Sequence, residues 1–292
     1  MGKNVVIVFA MLAGLACPSP AAAWGTEVHK FITAQAIALL PPEIRPFFEK
    51  YTTTVVEHSI DPDLWRTAGF VEEPPRHFVD MDSYGPSPFT ELPHDYDAAV
   101  KRYGLEFVTR NGTLPWRTEE IYKQLVDAFT QKGPYSRDNL KFFAAVISHY
   151  VADAHVPFHA ALNYDGQLTG QWGIHARFEA DLFARYQSRL QLAPKIPAKI
   201  PGARELIFES LVVSYSYVQA VLDADKAAVA GKDVYDDAYY DAFFAKVQPI
   251  VERRLSDSIG DVVGVITAAW IDAGRPAVPV DAPNLPKKVR KQ

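Results

Sequence analysis

Beyond residue 24, apolar residues recur at helical spacing along most of the chain, with the breaks falling at Pro and Gly. Thr26 stands where a cap would open a helix running to Leu40, which Pro41-Pro42 stops, and a shorter helix covers Glu43 to Tyr51. Residues 60–94 are rich in Pro, Asp and Gly and carry no helical period, which predicts a long loop of the kind that is functional when ordered. Helical patterns resume over Tyr96–Thr109 and Thr118–Gln131. The clearest one starts at Ser136, with Phe142, Phe143, Val146, Ile147, Tyr150 and Val151 on helical spacing, and runs until Pro157 ends it. A loop over Asn163–Gly173 leads to a helix beginning near Ile174, followed by long helices over Ala203–Ala230 and Asp236–Ala273. The pattern predicts an all-α chain without internal repeats.

The two ends read differently. Lys3, the apolar run from Val5 to Ala16 and the small residues Ala21-Ala22-Ala23 make residues 1–23 a secretory signal peptide, the apolar run being too short for a membrane span. Cys17 offers a competing reading as a lipoprotein anchor, against which Gly14-Leu15-Ala16 lacks a leucine three positions ahead of the cysteine. Cleavage after Ala23 leaves about 269 of the 292 residues and makes Trp24 the new N-terminus. It also removes the only cysteine, so stability in an exported compartment must come from core burial and metal rather than disulfides. Residues 24–275 are long enough for one domain with a sizeable core. Pro276 to Gln292 is Pro-rich and basic with few large apolar residues, which predicts a loose tail. A net charge of −5 argues against a broad basic groove for duplex nucleic acid, though not against a local positive site made by metal ions.

The candidate chemistry lies in short spacings of His and acid. His149 and Asp153 are four apart, His159 follows six later, and His175 and Glu179 are again four apart. On a helix such pairs share a face and form a clamp of imidazole and carboxylate, donor chemistry suited to zinc. Asp63 and His77 lie upstream, and His29 follows Trp24 by five. Singly, each has a bland reading: Asp63 as a turn residue in Asp61-Pro62-Asp63, His77 as an imidazole packed beside Phe78, each i,i+4 pair as a surface pair. Together the balance reverses, because five of the eight histidines fall in one scheme. His149 and Asp153 also sit on a helix dominated by large apolar residues, where polar groups need partners. His58, His94 and His155 remain outside the scheme and read as structural.

These motifs, with His77-Phe78-Val79-Asp80 and Trp24 at the cut site, resemble the zinc-dependent phospholipase C / S1–P1 nuclease superfamily. Arg254-Leu255 and the Ala269-Trp270 stretch resemble that family's last helix, so the likeness spans most of the mature chain. The resemblance implies a single helical domain with a cleft for three zinc ions. One site is implied for Asp63, His77, His149 and Asp153, and a second for His159, His175 and Glu179. A third is implied for the amine and carbonyl of Trp24 with His29, bridged to the first by Asp153. Three dications outweigh the carboxylates of Asp63, Asp153 and Glu179, so the filled pocket is positive and suits an anionic phosphodiester. The implied activity is phosphodiester hydrolysis by a zinc-bound hydroxide, with Asp63, Arg66 and Asp153 in catalytic positions.

The substrate class divides within the resemblance. Glu179 and the short His159-to-His175 spacing resemble the phospholipase branch; the Trp24-to-His29 spacing and Arg66, three after Asp63, resemble the nucleases. Glu27, Phe78 and Asp80 are candidate substrate contacts, while Leu64 stands where some phospholipases carry a choline-contacting tyrosine. Phe89 and Trp116 read either as membrane-dipping loop aromatics or as hooks packed on the core. The expectation is an exported, zinc-dependent phospholipase C, with a single-strand nuclease/3'-nucleotidase as the alternative and a non-catalytic zinc-binding protein as the further one. The partners expected are phospholipid or single-stranded nucleic acid as substrate, with a transient membrane-surface contact and no obligate protein partner.

Overall fold

A computed structural model describes residues 25–133, 135–231 and 233–281. The described residues are helical with no strand: α1 (Thr26–Leu39), α2 (Arg45–Lys50), α3 (Thr52–His58), α4 (Asp61–Thr67), α5 (Tyr96–Tyr103), α6 (Leu105–Arg110), α7 (Leu114–Thr130), α8 (Ser136–Asp153), α9 (Ile174–Ala176), α10 (Leu182–Tyr186), α11 (Ala203–Val229) and α12 (Asp237–Asp272). The central helix is α8, packed on α1, α3, α4, α7 and α12. Its second half, from Ala144 to Asp153, is buried without interruption, so His149 and Asp153 are carried into the core on apolar neighbours. The helical period of the sequence is realised here because each face of α8 meets another element.

The end of α8 is fixed from outside. A helix terminus leaves carbonyls without intrahelical partners. Ser214 Oγ donates to Ala154 O at 2.7 Å, and the buried Arg254 donates from Nε to His155 O at 3.1 Å. Side chains of α11 and α12 thereby set the corner leading to a 3-10 turn at Pro157–His159. Beside it runs the segment after a second 3-10 turn, Pro74–His77. Val79 N–H donates to His159 O (2.9 Å) and Met81 N–H to Ala160 O (3.1 Å), while on the other side Asp80 N–H donates to Asn111 O (2.8 Å). That second contact needs Gly112: its φ of +95° suits glycine, and a Cβ there would lie 2.0 Å from Phe78 O.

Several sequence expectations are corrected. Asp63 and His77 are not on an open loop: Asp63 lies on α4 and His77 ends the 3-10 turn. Both elements begin with proline in the first turn, where its missing N–H costs nothing. Gly25, not Thr26, takes the cap position of α1, where it meets Ala180 at a distance of 2.8 Å from an added Cβ. The stretch expected as one helix over Tyr96–Thr109 is broken at Gly104, whose φ is +87°. Helix α7 opens earlier than Thr118, with Pro115 inside its first turn, and α8 closes at Asp153, ahead of Pro157. The helix near Ile174 is α9, which passes directly into a π turn over Arg177–Asp181.

Phe89 and Trp116 do not reach outward. Phe89 is buried against Tyr215, and Trp116 is buried in α7 with Nε1 donating to His94 O at 2.8 Å. The start of the expected loose tail is also held: Trp270 Nε1 donates to Pro276 O at 2.9 Å, and Arg137 donates to the carbonyls of Pro279, Val280 and Asp281. The expected signal peptide, Trp24 and residues 282–292 lie outside the described residues.

Candidate metal centre

Asp153 is the centre of the site. Its Oδ2 lies 2.9 Å from His77 Nδ1 and 3.3 Å from His149 Nε2, and those two nitrogens are 3.1 Å apart. Its Oδ1 faces the other way, 3.4 Å from His29 Nε2 and 3.9 Å from His159 Nδ1. Asp63 Oδ1 completes the near side at 4.0 Å from His77 Nδ1. On the far side, Glu179 Oε1 stands 3.6 Å from His159 Nε2 and 2.5 Å from His175 Nε2. The stacked rings of His29 and His149, 3.9 Å apart, join α1 to α8. All eight described candidate ligands are buried.

Two observations decide whether these residues fit zinc. Donors on one tetrahedral zinc, bonded at about 2.0–2.1 Å, stand about 3.3 Å apart. The near-side spacings of 2.9, 3.1 and 3.3 Å come near that, while the His175–Glu179 contact of 2.5 Å would have to open by about 0.8 Å. The second observation is the direction of the lone pairs. His149 Nδ1 faces Ser59 O at 2.9 Å, which makes Nδ1 the donor and turns the Nε2 lone pair inward. His159 does the same, with Nδ1 2.5 Å from His77 O. His77 is reversed: Nε2 faces the Glu73 carboxylate at 3.6 Å and Nδ1 faces the cluster. His77 Nδ1, His149 Nε2 and Asp153 Oδ2 crowd together at 2.9–3.3 Å, and a cation set among them takes the place of the protons those contacts would otherwise share. Both oxygens of Asp63 and of Glu179, both ring nitrogens of His29 and of His175, and Asp153 Oδ1 are buried without hydrogen bonds. Buried carboxylates and imidazoles left without partners and facing one another are what a bound ion would satisfy. The residues fit zinc.

The electrostatics agree. Burial holds the His29 and His159 imidazoles below their ordinary pKa and takes His175 down to about 4, so their lone pairs remain available at neutral pH. Burial also lowers His149, but the Asp153 charge and hydrogen bond reverse this and raise it. Burial alone would raise Asp153; the neighbouring His149 and His159 overcome that and hold it well below the carboxylate range. Glu179 goes the other way, pushed well up by burial and by repulsion from Asp153 and Asp63. A carboxylate with too little positive charge around it is the one a dication would discharge.

Arg66 points into the same space. Its Nη2 lies 3.0 Å from Asp63 Oδ1, and its charge opposes protonation of both His175 and Glu179. Of the other candidate substrate contacts, Phe78 is half-buried, Glu27 is exposed on the first turn of α1, and Asp80 is buried. Burial and the neighbouring Asp82 push the Asp80 carboxyl up to about 7, and its Oδ1 has no hydrogen-bond partner. His58, His94 and His155 pair with Asp61, Glu205 and Asp261 at 2.9, 2.5 and 3.0 Å, away from the cluster.

The sequence reading passed over Glu73. It is buried, accepts from Arg76 Nη1 at 2.8 Å and from Tyr150 Oη, and stands behind His77. The signal was there: Glu73 and His77 share the four-residue spacing of the two recognised clamps, and Pro74-Pro75 hid it by arguing against a helix. The π turn is the other unexpected feature. His175 on α9 and Glu179 in the π turn share a face across a widened backbone ring, a device that recurs at functional sites.

The family model described as zinc dependent phospholipase C matches residues 28–230, a span that holds all eight described candidate ligands. Comparison with curated proteins gives no significant match. With an all-helical fold, buried His/Asp/Glu groups that fit zinc, and a match over more than half its length, the chain belongs to the zinc-dependent phospholipase C family.

Proposed function

We propose that this protein is an exported phospholipase C that cleaves the phosphodiester on the glycerol side of a phospholipid headgroup. The observation that carries the proposal is the buried convergence of imidazoles and carboxylates around Asp153, in a chain matching the phospholipase C family model. Its described residues would hold zinc in two of the groups expected from the sequence, Asp63, His77, His149 and Asp153, and His159, His175 and Glu179; His29 would serve the third with Trp24, which lies outside the described residues. When bound, zinc supplies Lewis-acid polarisation of a phosphoryl oxygen and water acidified into the neutral range.

The chain's own groups do the rest. Arg66, aimed by Asp63, offers a planar donor fork to the non-bridging phosphate oxygens. Asp63 Oδ1 lies beside both Arg66 and the His77 edge of the cluster, which makes it the carboxylate placed between the phosphate-binding cation and the metal ligands. Asp153 is closed off and ties the two halves of the cleft together. Structural zinc sites are closed by four protein ligands. The group at His159, His175 and Glu179 offers three, which leaves a position for substrate or water and favours an enzyme over a zinc-stabilised scaffold.

Arg66 also supports a second reading, a single-strand nuclease, because a cation beside the metal ligands serves any phosphodiester. The deciding experiment offers phosphatidylcholine and single-stranded DNA side by side to the zinc-loaded mature protein. Hydrolysis of the lipid with little DNA cleavage is the expected result; the reverse would replace the phospholipase reading by the nuclease one.

A further inference from the structure

The connection between His159 and His175 turns its polar groups inward and its apolar side chains outward. Leu162, Tyr164, Leu168 and Trp172 are 43, 48, 66 and 61 % exposed. The backbone beneath them is tied down. Leu162 N–H donates to Asp82 Oδ1 (2.9 Å), Leu168 N–H to Asn163 Oδ1 (2.8 Å), and Gln167 Nε2 to Leu162 O (2.6 Å). Gln171 Nε2 reaches Asp225 Oδ2 on α11 at 2.7 Å, and Arg177 Nη1 holds Trp172 O at 2.7 Å. Gly166, at φ +73°, lets the turn close on Gln171, whose carbonyl oxygen lies 2.5 Å from the position of an added Cβ. Between Ala160 and Ile174 the one charged residue is Asp165, and its Oδ1 faces the His175 N–H at 3.3 Å.

We propose that this connection is a membrane-docking surface that seats the cleft on an uncharged, zwitterionic phospholipid surface. The inference rests on the phospholipid reading of the site. Large apolar side chains held outward on an ordered segment are unusual for a free monomer surface and mark a contact. A Trp and a Tyr flanked by leucines suit the boundary between headgroups and acyl chains, where an amphipathic ring is apolar at one end and wet at the other. Because the segment is strung between two candidate ligands of one site, whatever it touches is brought to the cleft. The absence of Lys and Arg from it, on a chain of net charge −5, removes the attraction that would favour an anionic bilayer.

The test compares the zinc-loaded wild type with the double variant Trp172→Ala/Leu168→Ser. Tyr135→Ser serves as the control, since Tyr135 is exposed at the opposite end of α8 from the cluster. Co-sedimentation with phosphatidylcholine vesicles should fall roughly tenfold or more in the double variant, the scale for two apolar side chains left in water. The control should bind as the wild type does. Hydrolysis of dihexanoyl phosphatidylcholine below its micellar concentration should be equal in all three. Equal vesicle binding by the double variant, absence of wild-type binding, or stronger binding to phosphatidylglycerol vesicles would each overturn the proposal. So would a wild-type dimer in light scattering that the double variant dissolves, since the patch would then be a self-interface. Failure of the phospholipid reading shows up separately, as a wild type that leaves the monomeric lipid intact.

Discussion

Glu73 Oε1 stands 3.6 Å behind His77 Nε2, and the same carboxylate is held by Arg76 and Tyr150. No nearer acceptor serves that ring nitrogen. The carboxylate thus faces the ring nitrogen of His77 that is turned away from Asp153 and His149, the place a carboxylate takes behind a metal-binding histidine, and it does so from four residues away. Replacing Glu73 by Gln should weaken zinc binding by roughly 10- to 100-fold, the usual cost of losing such a partner. Chelator competition reads the affinity, and the visible spectrum of the cobalt-substituted protein reads the geometry at His77. Unchanged affinity and an unchanged spectrum would show that Glu73 only packs.

Metal content and stability should move together. Mass spectrometry of protein purified without chelator should give about three zincs per chain if the groups around Asp153 fill as proposed, and chelation should lower the melting temperature because metal binding is partly folding free energy. Less than about one zinc in fully folded protein would remove the basis for the cluster.

Zinc uptake should release protons. Glu179 sits well above its ordinary pKa in the metal-free site, so it holds a proton at a pH where the free carboxyl would not, and a dication must displace it. Calorimetric titrations run across the acidic to neutral range in buffers of different ionisation enthalpy should give different apparent enthalpies, with proton release growing as pH falls. Identical enthalpies in all buffers would contradict the electrostatics of Glu179.

Asp80 carries a pH signature of its own. Its folded carboxyl is raised to about 7 from 3.8 by burial and by Asp82. A raised acid favours folding while protonated, so its contribution is intact below about pH 4 and lost as pH rises through 7. Asp80→Asn keeps the shape and removes the charge, so it should stabilise the protein at pH 8 by about 1–2 kcal/mol and leave it nearly unchanged at pH 4. Thermal melts at the two pH values decide, and an equal shift at both would mean that Asp80 does not titrate between them.

Arg66 tests the proposed phosphate contact. It is not a ligand, so Arg66→Ala should retain zinc. On oligonucleotides the loss of one aimed donor should cost roughly 2–4 kcal/mol in kcat/KM if the nuclease reading is right. If the phospholipase reading is right, hydrolysis of short-chain phosphatidylcholine should fall on the same scale, because the phosphate contact proposed for Arg66 is then made to the lipid. A large Arg66 effect on DNA cleavage by a protein inert toward lipid would establish the nuclease.

The N-terminus gives the last test. A chain keeping one residue ahead of Trp24 has an amide where a zinc-binding amine is proposed, and should lose most of its activity relative to a cleanly processed chain. Equal activity would show that the N-terminal ion is absent or dispensable.

What the sequence determined by itself is what local spacing controls. Apolar periodicity and proline stops specify an all-helical chain, and four-residue spacing puts His149 with Asp153 and His175 with Glu179 on shared faces whatever the rest of the chain does. Tertiary structure decided which atoms face which. The lone pair of His149 turns inward because Ser59 O, ninety residues away, takes its other nitrogen; that of His159 does so because His77 O takes its Nδ1. Long-range contacts also chose between the two local readings of Phe89 and Trp116, which pack on the core against Tyr215 and beneath His94, and left Trp172 and Leu168 outside instead. A period along the chain records which side of a helix is apolar. The partner of a ring nitrogen, and whether a loop aromatic turns in or out, is set by surfaces that meet only once the chain has folded.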